Sequence, residues 1–282
     1  MFDKLRTLNE FHTDWKIKVR VTRMWPSNTS DDDSLYRYNL ILLNAENFYV
    51  QSTVASNVWD IFQEVINEGK VYEISDFLTK KDTRKHRSVS SRIYITFNSE
   101  TVIKPLLGYD TTIDYHKFDF FDIGDMIVNA KDTKLAILLI FLQVLYDSQS
   151  LSYIIGVFED IELAQVIPSK IGDQMIIHFR ITDGRNDVRV TVWGKHVKSL
   201  DPLFNDVLES PIIVILACMR PLWLHGEAVI GTVESSRIYI YLQIVLFVAI
   251  GLRMVFFGAK FQQPNSTFDT SRHRNIEEIA EA

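Results

Sequence analysis

Strict alternation of apolar and polar residues is the first readable pattern in the chain. In Trp15–Arg23 (WKIKVRVTR), Ile17, Val19 and Val21 point one way and Lys16, Lys18 and Arg20 the other. A period of two puts successive side chains on opposite faces, so this stretch predicts a half-buried strand. A polar loop, Pro26–Asp33, follows. Strands are predicted at Tyr36–Leu43 and Asn47–Val54, around the turn Asn44-Ala45-Glu46. From Ser56 to Asn67 the apolar residues Val58, Trp59, Phe62, Val65 and Ile66 fall at helical spacing, with Ser56 as N-cap and Gly69 just past the end. Val71–Leu78 and Ser90–Phe97 complete the set as strands, joined by the basic loop Lys80–Arg87.

A second segment repeats this order. Tyr153–Phe158 continues towards Val166 as a long strand, and Pro168–Asp173 is a loop. Met175–Ile181 and Asp187–Val192 are strands around Asp183-Gly184. His196–Leu208 is a weak helix interrupted by Pro202. Pro211–Cys218 is continuously apolar, hence a strand buried on both faces or within a closed barrel. Ala228–Val233 and Arg237–Tyr241 follow. Five short strands with one helix between the third and fourth is the chain order of the OB-fold, a small Greek-key barrel. The expectation is therefore an all-β chain with minor helices: two tandem five-stranded OB-fold barrels at 1–110 and 111–242, then an apolar segment and polar tail at 243–282.

Composition narrows the function. The 282 residues are 47% hydrophobic and 23% charged, which excludes a disordered, collagen-like or disulfide-scaffold chain. A net charge of −6 excludes a strongly basic nucleic-acid binder as a description of the whole chain, but not a local basic groove. Residues 11–108 hold 13 Lys/Arg against 12 Asp/Glu, and residues 117–242 hold 11 against 16, so the second barrel is the acidic one. Cys218 is the single cysteine, which rules out an intrachain disulfide and a cysteine-rich zinc site, and fits a reducing compartment. The N-terminus lacks the apolar core of a signal peptide.

Leu135–Leu142 is too short to span a bilayer, which takes about 20 apolar residues. Ile244–Phe257 reaches that length only when extended back to Ile238. It then contains Gln243 and Arg253, and an arginine in a span costs at least roughly 2.5 kcal/mol. A buried or partner-facing helix is expected there rather than a membrane anchor.

No phosphate-binding glycine loop, nucleophile elbow or paired-histidine metal motif occurs in the sequence, and no cofactor or catalytic constellation is expected. A single-strand binder needs neither; it needs cations for phosphates and flat side chains for bases to stack on. The second barrel places these together. Val188, Val190 and Val192 form a core face, so Arg189, Thr191 and Trp193 share the opposite one. On the neighbouring strand Ile177, Phe179 and Ile181 face the core, leaving His178 and Arg180 outward. Trp223 lies in the expected loop Met219–Gly226 between the fourth and fifth strands. Glu159, Asp160 and Glu162 read as solvated acids. In the first barrel Lys16, Lys18 and Arg20 fit a solvated exterior as well as a groove, and Tyr49 shares an outward face with Gln51 and Thr53.

Several stretches resemble the large subunit of replication protein A, the eukaryotic single-stranded-DNA-binding protein, and most closely its plant-type homologues. In the first barrel these are Trp15–Trp25, Glu68–Tyr72 (EGKVY) and Ile95–Thr101 (ITFNSET). In the second they are Ile155–Asp160 (IGVFED), Ile181–Gly184 (ITDG), Val190–Gly194 (VTVWG) and Ser235–Ile238 (SSRI). The resemblance covers about Phe11 to Tyr241 and implies the first two DNA-binding OB domains of that subunit. It puts Arg23, Trp25 and Lys80 at DNA-contacting positions, and base-stacking aromatics at Trp193 and Trp223. The first barrel's two stacking phenylalanines fall near Ala55 and His86, where only His86 could stack, and weakly. Asp31–Asp33 lies where the family tends to carry basic residues, and its carboxylates would repel phosphates.

What the resemblance implies is non-catalytic binding of single-stranded DNA in replication, repair and recombination, in the nucleus, with other replication protein A subunits as partners. The family's third OB domain carries a cysteine zinc site that this sequence does not contain. The alternative is a divergent paralogue acting through protein contacts, with weak or no DNA binding.

Overall fold

The computed structural model describes residues 2–28, 34–84, 87–106, 108, 112–135, 152–169, 172–205, 211–224 and 226–240. It divides into two compact units, Met1–Phe118 and Asp119–Ala282. The runs 136–142 and 244–257, the Asp31–Asp33 run, His86 and the C-terminal tail lie outside the described residues. Among the described residues no helix is long and apolar enough to cross a membrane.

The first unit contains β1 (Lys16–Asn28), β2 (Leu35–Leu43), β3 (Tyr49–Ala55), α1 (Ser56–Phe62), β4 (Val71–Ser75), β5 (Leu78–Lys81), β6 (Ile93–Phe97) and β7 (Val102–Pro105). β1, β2 and β3 form an antiparallel meander, β3 runs parallel to β6, and β1 pairs with β4. β4 and β5 are two halves of one bent strand. Asp76 breaks it with a φ of 58°, and the next residue, Phe77, turns fully into the core. Because β5 pairs with β6 while β4 pairs with β1, the sheet closes on itself. The predicted alternation holds: Ile17, Val19 and Val21 pack with Leu40, Leu42, Val50, Val54, Ile74 and Ile95 inside the barrel.

Several boundaries differ from the sequence reading: α1 ends at Phe62 rather than Asn67, and β6 begins at Ile93 rather than Ser90. β1 runs on through Pro26 to Asn28, beyond the expected loop start. Pro26 sits opposite Tyr38 at the far end of the β1–β2 ladder, where a missing N–H costs least. Ser56 is the first helical residue rather than the cap; Ala55 holds the cap position in extended geometry with no side-chain bond. Lys80 and Lys81 belong to β5 rather than to a loop.

The second unit begins with β8 (Phe120–Phe121) and α2 (Ile123–Leu135), neither visible in the period-two pattern. It continues with β9 (Ser152–Ile161), β10 (Gln165–Ser169), β11 (Gly172–Thr182), β12 (Asp187–Trp193), a 3-10 turn at Gly194–Leu200, α3 (Asp201–Asn205), β13 (Ile213–Leu224), β14 (Glu227–Gly231) and β15 (Arg237–Ile240). β9 pairs with β11 and β13, β11 with β12, β12 runs parallel to β14, and β14 returns to β13, closing a five-stranded barrel. Both units therefore have OB-fold topology. α2 adds Ile123, Met126 and Ala130, spaced at helical intervals, to the same core as Phe179, Val190 and Leu216.

Here too the structure corrects the expected boundaries. β9 stops at Ile161, and Gln165–Ser169 folds back as a hairpin strand on β11 instead of prolonging β9. β13 reaches Leu224, so Trp223 stands in a strand, paired with Ala228, and not in a loop.

Candidate functional site

The outward face of β11 and β12 in the second unit collects most of the expected chemistry. Arg180 and Arg189 are direct cross-strand partners, as are His178 and Thr191, and Ile176 and Trp193. Two guanidinium groups placed opposite one another repel unless counter-charges reach between them. Carboxylates from three other places in the chain do so. Arg180 Nη1 lies 2.5 Å from Asp187 Oδ2, and its Nη2 lies 3.6 Å from Glu227 Oε2. Arg189 Nη2 donates to Glu162 Oε2 at 2.8 Å, and its Nη1 lies 3.8 Å from Glu227 Oε1. The face is thus a lattice of paired charges. Glu162, read from sequence as a solvated acid, is a counter-ion of Arg189. Nothing local signals that pairing, because it joins residues of β12 and of the turn after β9.

This crowding moves two titrations. Burial, and then the Arg189 charge, hold the His178 imidazole below its usual pKa, with Glu162 opposing; its Nδ1 lies 3.0 Å from Thr191 Oγ1. Burial, reinforced by Asp187 and Asp160 and opposed by Arg180, holds the Glu159 carboxyl above its usual range.

The two tryptophans part company. Trp193 is 38% exposed at the end of β12, and its backbone N–H donates to Thr232 Oγ1 at 3.0 Å. A Cβ on Gly231 would stand 4.0 Å from Trp193 Nε1 and 3.6 Å from Leu222 Cδ1, so the indole edge is seated against a strand position without a side chain. Trp223 instead packs, half-buried, on the hydrophobic core beside Ala228. Strand pairing places these aromatics on opposite sides of the sheet, where an expected loop would have left them free to converge.

The first unit presents a more closed face. The ladder shifts register between Val21 and Arg23, so Arg23 pairs with Ile41 and turns away from the core that Val21 enters. Such a bulge resets the alternation. Arg23 and Trp25 consequently share the outer face, but they are 5% and 8% exposed. Beside them Gln51 Nε2 donates to Asn39 Oδ1 at 3.2 Å, and Asn39 Nδ2 to Ser27 Oγ at 2.9 Å, a buried polar ladder across β1, β2 and β3. Tyr49 does face outward with Gln51 and Thr53, yet it is buried and Lys117 Nζ lies 4.3 Å from its ring centroid.

Lys80 is exposed on β5 opposite Tyr94. Lys81 beside it is exposed too, whereas Arg84 is held by Asp82 at 2.5 Å and lies over the Tyr94 ring. Lys16 is engaged by Glu73 at 2.8 Å, which keeps that carboxyl below its usual pKa. Arg20 is not solvated: it is 4% exposed. No group of three or more His, Cys, Asp or Glu among the described residues could hold a metal ion.

Comparison with known proteins agrees with this architecture. Residues 6–128 match a family model described as Domain of unknown function DUF223. The replication protein A 70 kDa DNA-binding subunit of Xenopus laevis is 26% identical over 206 residues, 70% of this chain and 30% of that protein. The Danio rerio subunit is 30% identical over 139 residues, 48% of this chain and 22% of that protein. An Oryza sativa subsp. japonica form of the same subunit is 22% identical over 245 residues, 84% of this chain and 34% of that protein. Each match therefore covers no more than about a third of the relative's length. A solved replication protein A heterotrimer bound to ssDNA superimposes with a TM-score of 0.57 at 18% identity, covering 93% of this chain and 56% of that one. In sequence, and in the fold of its two consecutive barrels, the chain is similar to the DNA-binding large subunit of replication protein A, in plant as well as vertebrate forms.

Proposed function

We propose that this chain binds single-stranded DNA without catalysis, through the outer faces of its two OB barrels, in replication, repair and recombination in the nucleus. The observation that carries the reading is Trp193: a large aromatic held exposed at the end of a barrel strand, in line with Thr191 and Arg189. A base stacking on such a ring gains about 1–3 kcal/mol whatever its identity, which suits a binder indifferent to sequence. Arg180 and Arg189 supply the cations beside it. Because each is already paired with a carboxylate, a phosphate gains only the difference between two ion pairs. Stacking then outweighs charge in this barrel.

In the first barrel Lys80 is an exposed cation, His86 follows in the same basic stretch, and Arg23 with Trp25 form the floor. Trp223 supports the second barrel's wall from the core side. Other replication protein A subunits are the expected protein partners.

The test is titration of a labelled oligothymidine of about 24 nucleotides, against duplex DNA of the same length. Preferential single-strand binding supports the reading. A folded sample that binds neither, or prefers the duplex, overturns it.

A further inference from the structure

The outer face of the first barrel is arranged in rows that cross its strands. One row runs from Val71 through Arg20 and Leu43 to Tyr49, and the next from Arg23 through Ile41, Gln51 and Tyr94 to Lys80. Leu43 and Ile41 are two residues apart on β2, so the rows lie about 7 Å apart. The second row holds Arg23 and Lys80, the cations proposed above to meet the strand. The first row is covered by the chain after β7. Arg20 Nε and Nη2 donate to the Ile113 carbonyl at 3.1 and 2.8 Å, and Lys117 Nζ lies 4.3 Å from the Tyr49 ring centroid. Residues 113–117 therefore lie along that row, and Ile113 is buried on it.

Tyr115 is the exposed ring of this cover. The Arg20 guanidinium carbon lies 4.0 Å from its centroid, and a Cβ on Gly69 would stand 3.7 Å from its Cε1. Arg20 is itself fixed, because its Nη1 also donates to the Gly69 carbonyl at 2.6 Å. Tyr115 is nonetheless 59% exposed, so one ring face rests on a buried cation and the other meets solvent. The aromatics of the barrel strands on this face offer no such surface. Trp25 and Tyr49 are buried, Lys117 lies over Tyr49, and Tyr94 is half-buried beneath Arg84. We infer that Tyr115 is a base-stacking platform of the first barrel, supplied by the segment after β7 rather than by a barrel strand. This rests on the single-strand reading above. A guanidinium stacks well on an aromatic face and holds the ring in place. A base arriving on the open face then orders little that was mobile, so most of the stacking energy is kept as affinity. No charge takes part in that contact, so its gain is independent of salt.

The experiment uses the full chain with an oligothymidine of about 24 nucleotides, and with an abasic strand of the same length that keeps the phosphates and lacks the bases. Tyr115→Ala removes the ring, Tyr115→Phe keeps it, and Trp193→Ala runs in parallel. Thermal melts check that each variant stays folded. Tyr115→Ala should weaken oligothymidine binding about five- to hundredfold, with the slope of log K on log salt unchanged. Tyr115→Phe should stay within about twofold of wild type, and the abasic strand should bind wild type and Tyr115→Ala alike. Unaltered oligothymidine affinity in Tyr115→Ala, beside a loss in Trp193→Ala, overturns the inference and leaves the single-strand reading standing. An equal loss on the abasic strand also overturns it, since the ring would then serve only to hold residues 113–117 in place. A folded wild-type chain that binds no single strand overturns the single-strand reading, and the platform with it.

Discussion

Arg189 on β12 donates to Glu162, in the turn after β9, across 2.8 Å. A cation at the expected phosphate path is thus occupied by the protein's own carboxylate. A charge pair exposed to this degree contributes little to stability, on the order of 0–1 kcal/mol, so its consequence falls on binding.

Glu162→Gln should tighten single-strand binding by about two- to fivefold at low salt, and steepen the dependence of log K on log salt by about one. Titrations at several salt concentrations check this. Unchanged affinity and slope would mean that the DNA path does not pass Arg189.

The separation of the two tryptophans predicts separable effects. Trp193→Ala should lower single-strand affinity by about 1–3 kcal/mol with little change in Tm. Trp223→Ala should do the reverse, costing roughly 2–4 kcal/mol of stability because it empties a site against the core. Thermal melts beside oligothymidine titrations distinguish the two. Equal effects on binding would mean that Trp223 also reaches a base.

Gly156 on β9 approaches β11 closely: a Cβ there would meet the Thr182 carbonyl oxygen at 3.0 Å and Ile181 Cβ at 3.1 Å. Backbone and a fully buried isoleucine cannot yield cheaply. Gly156→Ala should therefore destabilise by about 1–3 kcal/mol, read as a lower denaturation midpoint with an unchanged slope.

His196 carries a pH dependence. Burial, aided by the Lys195 charge, lowers its pKa from 6.5 to about 4. The unfolded chain therefore binds a proton that the folded one refuses between these values, and stability falls as pH drops through that window. The ring is only partly buried, which limits the effect to on the order of 1–2 kcal/mol. Comparing wild type with His196→Gln from pH 7 to pH 4 should show the wild type losing more. Parallel curves would remove His196 as the cause.

Much of this architecture was legible along the chain. The alternation of Ile17, Val19 and Val21, and of Val188, Val190 and Val192, follows from strand geometry alone, since each strand needs one apolar face whatever it pairs with. The outward placement of Arg189 and Trp193 is the complement of that rule. So is the repeated order of strands and helix that pointed to two OB barrels.

Relationships between residues distant in sequence, and departures from the period, emerge only on folding. The irregularity after Val21 reverses parity and moves Arg23 to the outer face. Pairing with β14 turns an expected loop into strand and sends Trp223 to the core side. Glu162 and Glu227 reach Arg189 because the barrel closes, and Arg20 grips the Ile113 carbonyl because the chain returns over the first barrel. Local sequence sets which face a side chain occupies. Closure of the sheet sets what that side chain meets, and at a charged or aromatic residue the second governs whether it is free to touch a ligand.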